Sequence, residues 1–175
     1  KISIYYDWLN FGRYFFNDIS EFMLYQNNKY GLLRYADYIY QTTTNSTRPN
    51  MVAQLVTPTG RFAYGKSLKD FEQVTYEPEL APVVAMAKQQ LLDSPEWDEE
   101  QGYWGKCAEI IAINEMIRKI KAAGGVVLDE LRGAHIYTMY VRKPGKAEYG
   151  ESKEPCELCR IVLDYFGIEY RTYPE

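Results

Sequence analysis

One histidine, His135, and three cysteines, Cys107, Cys156 and Cys159, are all that 175 residues offer in imidazole and thiol chemistry. The odd cysteine count does not suit a disulfide framework, and such frameworks belong mainly to small secreted domains without a sufficient core. No apolar run approaches the length needed to span a bilayer, so a soluble domain with no membrane association is expected. Positive charge is also short. Residues 1–102 carry 9 basic and 13 acidic side chains and residues 103–175 carry 11 of each, for a net charge of −4. An acidic chain gains little from phosphate attraction at large, so nucleic-acid binding would need a local basic patch. The sequence opens on Lys1 without a signal-peptide pattern, and we expect a piece of a longer protein that holds the targeting information elsewhere.

Aromatic side chains are abundant instead. Thirteen of the 27 fall in residues 1–40, where Trp8, Phe11, Phe15 and Phe22, and later Tyr35 and Tyr38, follow helical spacing. Such a stripe could stack bases, but a packing face is favoured. The polar stretch Thr42–Asn50 reads as a loop, dividing an N-terminal helical extension or linker (1–48) from a main domain (49–175).

Beyond residue 50 the period changes. Met51–Thr57 and Arg61–Lys66 read as strands around a Pro58-Thr59-Gly60 turn, and Pro78–Asp93 as a helix with Leu80, Val84, Ala87 and Leu91 on one stripe. A second helix is expected over Lys106–Ala123, ended by Gly124-Gly125. A strand follows over Ala134–Arg142, then a helix from Pro155 to Phe166 stopped by Gly167, and a closing strand in "IEYRTY". This order predicts an α/β fold, a three-layer α/β/α sandwich around a mixed sheet. A fifth strand is unassigned, with "VVLDEL" (Val126–Leu131) or the N-terminal region as candidates. "GRFAYGKS" lacks the glycine spacing of a phosphate-binding loop.

The cysteines open two of these helices, in "GKCAEII" and "KEPCELCRIV". A pair three apart after a proline is compatible with a redox pair, a structural zinc site or a catalytic one. Thiolates at helix N-termini are stabilised by unsatisfied amides. Two such helix starts side by side would gather three sulfurs around one Zn²⁺ with a fourth position open, whereas a closed structural site would need His135 as well. Glu109, in the first turn beside Cys107, could approach the open position and carry protons there without being a ligand.

"C-A-E" and "P-C-E-L-C", each opening a helix, resemble the zinc deaminase signature of the cytidine deaminase-like superfamily, in its three-cysteine form. "GKCAE", "YGESKEPCELC" and the following "FGI" are most similar to the YwqJ-like deaminase domains of bacterial polymorphic toxins. The resemblance runs from about Met51 to Tyr173 and implies zinc on Cys107, Cys156 and Cys159, with Glu109 as the catalytic proton carrier. It implies hydrolytic deamination of a nucleobase, with cytosine in single-stranded DNA as the preferred substrate and free nucleosides, nucleotides or RNA as alternatives. It further implies a monomeric toxin domain, secreted or delivered as part of a longer protein into a target cell's cytoplasm and neutralised by a cognate immunity protein. A non-catalytic, zinc-stabilised interaction module is the reading from another class.

Substrate contacts are expected from Tyr103 and Trp104, with Trp97 nearby, as stacking groups, each base contact being worth roughly 1–3 kcal/mol. Arg142, Lys143 and Lys146 are placed to meet a phosphate. Lys66 and Ser67 are included because the end of the second strand contacts substrate in related enzymes.

Overall fold

A computed structural model describes residues 28–94 and 104–173. The N-terminal aromatics through Tyr25, and Trp97 and Tyr103, lie outside the described residues.

The first helix, α1 (Lys29–Thr42), begins where the Asn28 side chain accepts a hydrogen bond from the Gly31 amide at 3.0 Å. Its stripe Leu32, Ala36 and Ile39 is buried. At its other end the Arg48 guanidinium donates to the carbonyls of Tyr40 (3.1 Å) and Thr43 (2.8 Å), so the polar loop after α1 caps the helix that precedes it.

Four strands follow the order β2–β1–β3–β4, with β1 (Met51–Val56), β2 (Phe62–Lys66), β3 (His135–Tyr140) and β4 (Glu169–Tyr170). The β1 strand pairs antiparallel with both β2 and β3, and β3 pairs parallel with β4. Its near-continuous burial reflects cover on both faces. Met51, Ala53 and Leu55 join one core with helices α2 (Ala81–Leu92), α3 (Ala108–Ala122) and α5 (Glu157–Phe166). Val52 turns to the opposite face, where Met139 and Val141 meet the α1 stripe. The chain is therefore a three-layer α/β/α sandwich, as the order of elements predicts.

Two expectations change in detail. The helix expected from Pro78 begins at Ala81, because the Glu77 carbonyl first takes the amides of Leu80 and Ala81 in a turn; Pro82 then sits in the opening turn. "VVLDEL" is no strand. It forms the short helix α4 (Val127–Leu131), burying only Val127 and Leu131, four apart, while Val126 and Leu128 stay exposed. Glu130 on this turn meets Arg61 of the β1–β2 hairpin at 3.2 Å. The closing strand is also short. After two paired residues the chain leaves β3, and Tyr173 stacks on Tyr137 with ring centroids 3.9 Å apart and donates its hydroxyl to Gln54.

Candidate active site

Helix α3 packs tightly on β2 and β1, and what lets it do so is Gly65. Any β-carbon at that position would collide with the backbone of Ala108 and Ala112. The buried face of α3, including Ile110, Ile113, Ile117 and Ile120, then holds the helix along the sheet with Cys107 at its N-cap. Cys156 caps α5 in the same way, after the buried Pro155. Leu158, Cys159, Val162 and Phe166 lock α5 into the same core.

These two helix starts bring together residues 49 apart in sequence. The sulfurs of Cys107 and Cys156 lie 3.6 Å apart, and the three cysteine sulfurs lie within 4.8 Å of one another. Hydrogen bonds from Cys107 and then Cys159, with the amides of Cys159 and Leu158, hold the Cys156 thiol well below its ordinary pKa. The Cys156 contact pushes the Cys107 thiol up, and contacts with Cys107 and Cys156 do the same for Cys159. The cluster therefore concentrates negative charge on one sulfur with two thiols turned toward it.

The donor set fits zinc. Metal–sulfur bonds of about 2.3 Å in a tetrahedron require sulfurs about 3.8 Å apart, close to the 3.6 Å between Cys107 and Cys156. Three soft donors converge and no fourth protein ligand joins them among the described residues. His135 is at the far end of β3, opposite Val56 in the register, with Nε2 3.9 Å from a Glu169 carboxylate oxygen. The closed structural site thus loses its only imidazole.

Glu109 is buried, at 7% exposure, one residue into α3. Burial pushes its carboxyl up to about 7; its own amide, the Lys153 ammonium and the Cys159 thiol oppose that, while Cys156 adds to it. Glu109, Cys107 and Cys156 line one cavity of about 370 Å³, at the end of the sheet where β1 begins and β2 ends.

The walls of this cavity bring in residues that sequence reasoning missed. Asn50, Lys69, Asp70, Lys106, Lys153 and Glu154 line it, together with the expected Ser67. Lys153 is fixed through its backbone. The wholly buried hydroxyl of Thr138 donates to the Lys153 carbonyl at 2.6 Å and accepts from its amide at 3.2 Å. On the other wall the Leu68 amide donates to the Lys106 carbonyl (2.8 Å) and the Lys106 ammonium to the Asp70 carbonyl (2.6 Å). Buried Asn114 secures the end of that loop, donating to the Thr75 carbonyl at 3.0 Å and accepting from the Glu77 amide at 2.7 Å. The Tyr76 hydroxyl reaches the Gly105 carbonyl at 2.6 Å. The signal for Asn114 was present as a polar residue on an otherwise apolar helix face.

The other expected contacts are placed differently. Ser67 lines the cavity, but its hydroxyl accepts from the Asn50 and Met51 amides, both at 3.1 Å, and so closes the strand ends. Lys66, Trp104, Arg142, Lys143 and Lys146 are not among the described residues that line the cavity. Trp104 packs against the core, and Lys143 and Lys146 are exposed on the loop after β3. Arg142 is one step removed from the cavity, bonded to Asn50 and Glu148.

No helix among the described residues is long and apolar enough to cross a membrane. A family model described as YwqJ-like deaminase matches residues 40–168, from the last turn of α1 to the end of α5. Neither a curated protein nor a solved structure matches the chain.

Proposed function

The chain belongs to the YwqJ-like deaminase family, and from that premise we propose a zinc-dependent hydrolase that deaminates a nucleobase, cytosine in single-stranded DNA. The observation that carries the reading is Glu109. A buried carboxyl beside three convergent thiols, lining the same cavity and forming no part of the ligand set, is what a proton carrier requires.

Cys107, Cys156 and Cys159 would hold the zinc, which when bound supplies a Lewis acid able to acidify water to a pKa near 7. Glu109 takes a proton from the attacking water, passes it to the ring nitrogen next to the amine-bearing carbon, and delivers a second proton to the departing amine. One water is consumed, one ammonia leaves, and the ring keeps a carbonyl. The pKa of Glu109, raised toward neutrality by burial, lets the carboxyl both accept and give protons at neutral pH. Hydrogen bonds from Cys107 and Cys159, joined by the amides at the start of α5, hold the Cys156 thiol below its ordinary pKa and so favour the thiolate that a metal ligand must be.

Cytosine and DNA are supported by the family likeness, and an unstacked, single-stranded context by geometry. Glu109 is buried and lines a cavity, so a base must leave any stack to reach it. The toxin role, delivery into a target cell and a cognate immunity protein rest on the likeness of "GKCAE" and "YGESKEPCELC" to toxin-borne domains. One observation favours free nucleosides or nucleotides instead, the net charge of −4.

The test is Glu109→Ala with zinc content and ammonia release measured together, over cytidine, its monophosphate, single-stranded and duplex DNA, and RNA. Zinc and fold should persist while ammonia release falls by about 10²-fold or more. A variant as active as its parent sinks the mechanism. Turnover of free cytidine alone sinks the polynucleotide substrate.

A further inference from the structure

The rim of the cavity differs from its floor. Glu109, Cys107 and Cys156 are the less exposed lining, whereas Asn50, Asp70, Lys153 and Glu154 are exposed at the mouth. A nucleotide that presents its base to Glu109 leaves its sugar and phosphate at this rim.

Asn50 has nearly all its hydrogen-bonding groups committed. Its amide N–H donates to the Ser67 hydroxyl at 3.1 Å, and its carbonyl accepts from the Val141 amide at 2.9 Å. Its side-chain Oδ1 accepts from the Arg142 guanidinium at 2.9 Å. An arginine can only donate, so this contact decides which way the amide faces. Arg142 is itself held, by two contacts of 3.3 Å to Glu148 and by its position 4.7 Å over the Tyr140 ring. What is left is Nδ2, a donor with no partner among the described residues, on a residue that lines the cavity.

The charges around it point to the acceptor. Lys69, Lys106 and Lys153 line the cavity with Asp70 and Glu154, and the Glu154 carboxylate is drawn off by Arg160 at 2.6 Å. The mouth is therefore locally cationic in a chain whose net charge is −4. We propose that Asn50 is a specificity-determining residue whose Nδ2 donates to a phosphate oxygen of the bound nucleotide, with Arg142 as the positioning residue that aims it. Lys69 and Lys153, which form no ion pair among the described residues, flank the same phosphate. The site then selects a phosphorylated substrate, free or within a strand, over a bare nucleoside. This assignment rests on the deaminase reading only for the direction in which the base enters.

Binding without turnover tests it. In a Glu109→Ala background, a fluorescein-labelled single-stranded oligodeoxycytidine is titrated by anisotropy and displaced with cytidine 5′-monophosphate or with cytidine. Asn50→Asp keeps the acceptor for Arg142 but removes the donor, and Asn50→Ala removes both. Each should weaken oligonucleotide binding about tenfold, as expected for one hydrogen bond to a charged group. The melting temperature of Asn50→Asp should stay at the parent value. Arg142→Ala should give a smaller loss that Arg142→Lys partly restores. The monophosphate should displace the probe at least tenfold better than cytidine.

Unchanged affinity in Asn50→Ala, whatever Asn50→Asp does, reduces the effect to added charge and overturns the proposal. So does equal displacement by cytidine, or a parent that does not bind the probe. Ammonia release by the Glu109-intact chain is a separate reading. Loss of binding in the Asn50 variants with no ammonia from any substrate would keep the phosphate contact and remove the deaminase function. Ammonia with unaffected Asn50 variants would do the reverse.

Discussion

Gly65 of β2 lies so close to Ala108, the first residue of α3, that a β-carbon has no room between them. The obstruction is backbone on the helix side, which cannot rotate away as a side chain would. Gly65→Ala must therefore lift the start of α3 from the sheet, and Cys107 with it. We expect a destabilisation of at least about 1–3 kcal/mol, the usual cost of overpacking, and a larger proportional loss of zinc affinity than of helix content. Circular dichroism with zinc titration checks this. Full zinc affinity in the alanine variant would show that the helix start is free to shift without disturbing the cluster.

Thr138 makes a complementary prediction on the other cysteine helix. It is wholly buried in β3, and its one hydroxyl serves both backbone groups of Lys153, two residues before Pro155. Thr138→Val keeps the shape but leaves a carbonyl and an amide without their partner. A cost of about 1–3 kcal/mol follows, measurable by urea denaturation. Zinc affinity should fall with it, since the segment leading into Cys156 then loses its anchor at Lys153. A valine variant of unchanged stability and zinc affinity would remove Thr138 from the support of the site.

The parts of this site that could be read from sequence are those whose chemistry is local. Cysteines at helix starts, a glutamate in the first turn and glycine stops are written within a few residues. So the helices from Cys107 and Cys156 fall within two residues of their expected bounds. The cavity walls were less accessible because they depend on pairing. Asn50 reads as the end of a polar loop until antiparallel β1 and β2 place it beside Ser67, and β3 brings Arg142 to it. Lys153 is an ordinary charged loop residue until Thr138 fixes its backbone. "VVLDEL" misleads for a related reason: four apolar side chains suggest a strand, but only the pair four apart finds a core to enter.

Metal removal gives a third prediction. The cluster gathers three sulfurs within 4.8 Å of one another, with two thiols pushed up by their neighbours. Binding relieves that crowding, so folding and zinc uptake should be linked. Chelation should lower the melting temperature reversibly, and Cys107→Ser, Cys156→Ser and Cys159→Ser should each lose most of the zinc. Cys159→Ser should be the least stable of the three, because Cys159 is completely buried and its replacement puts a hydroxyl into the core. Equal stability across the series, or a melting temperature indifferent to chelator, would contradict the linkage.

The opposite face of the sheet carries a pH dependence of its own. Tyr35 on α1 lies against Tyr64 of β2 with ring centroids 4.9 Å apart, and Tyr64 bonds to the buried Gln54, which also receives the Tyr173 hydroxyl. Burial, with smaller contributions from Tyr38 and Glu115, pushes the Tyr35 phenol up to about 12. Burial raises Tyr64 and Tyr173 as well. In the unfolded chain these phenols ionise near pH 10. Between about pH 10 and 12 the unfolded state therefore binds fewer protons than the folded state, and stability must fall as pH rises. Below pH 10 both states are protonated and the contribution is flat. For Tyr35 the loss amounts to about 2 kcal/mol across that window. Tyr35→Phe removes this part of the slope while keeping the ring on Tyr64. Urea denaturation at pH 9 and pH 11.5 should therefore show a smaller loss in the phenylalanine variant than in the parent. Parallel losses in the two proteins would mean that the Tyr35 hydroxyl ionises as readily in the fold as outside it.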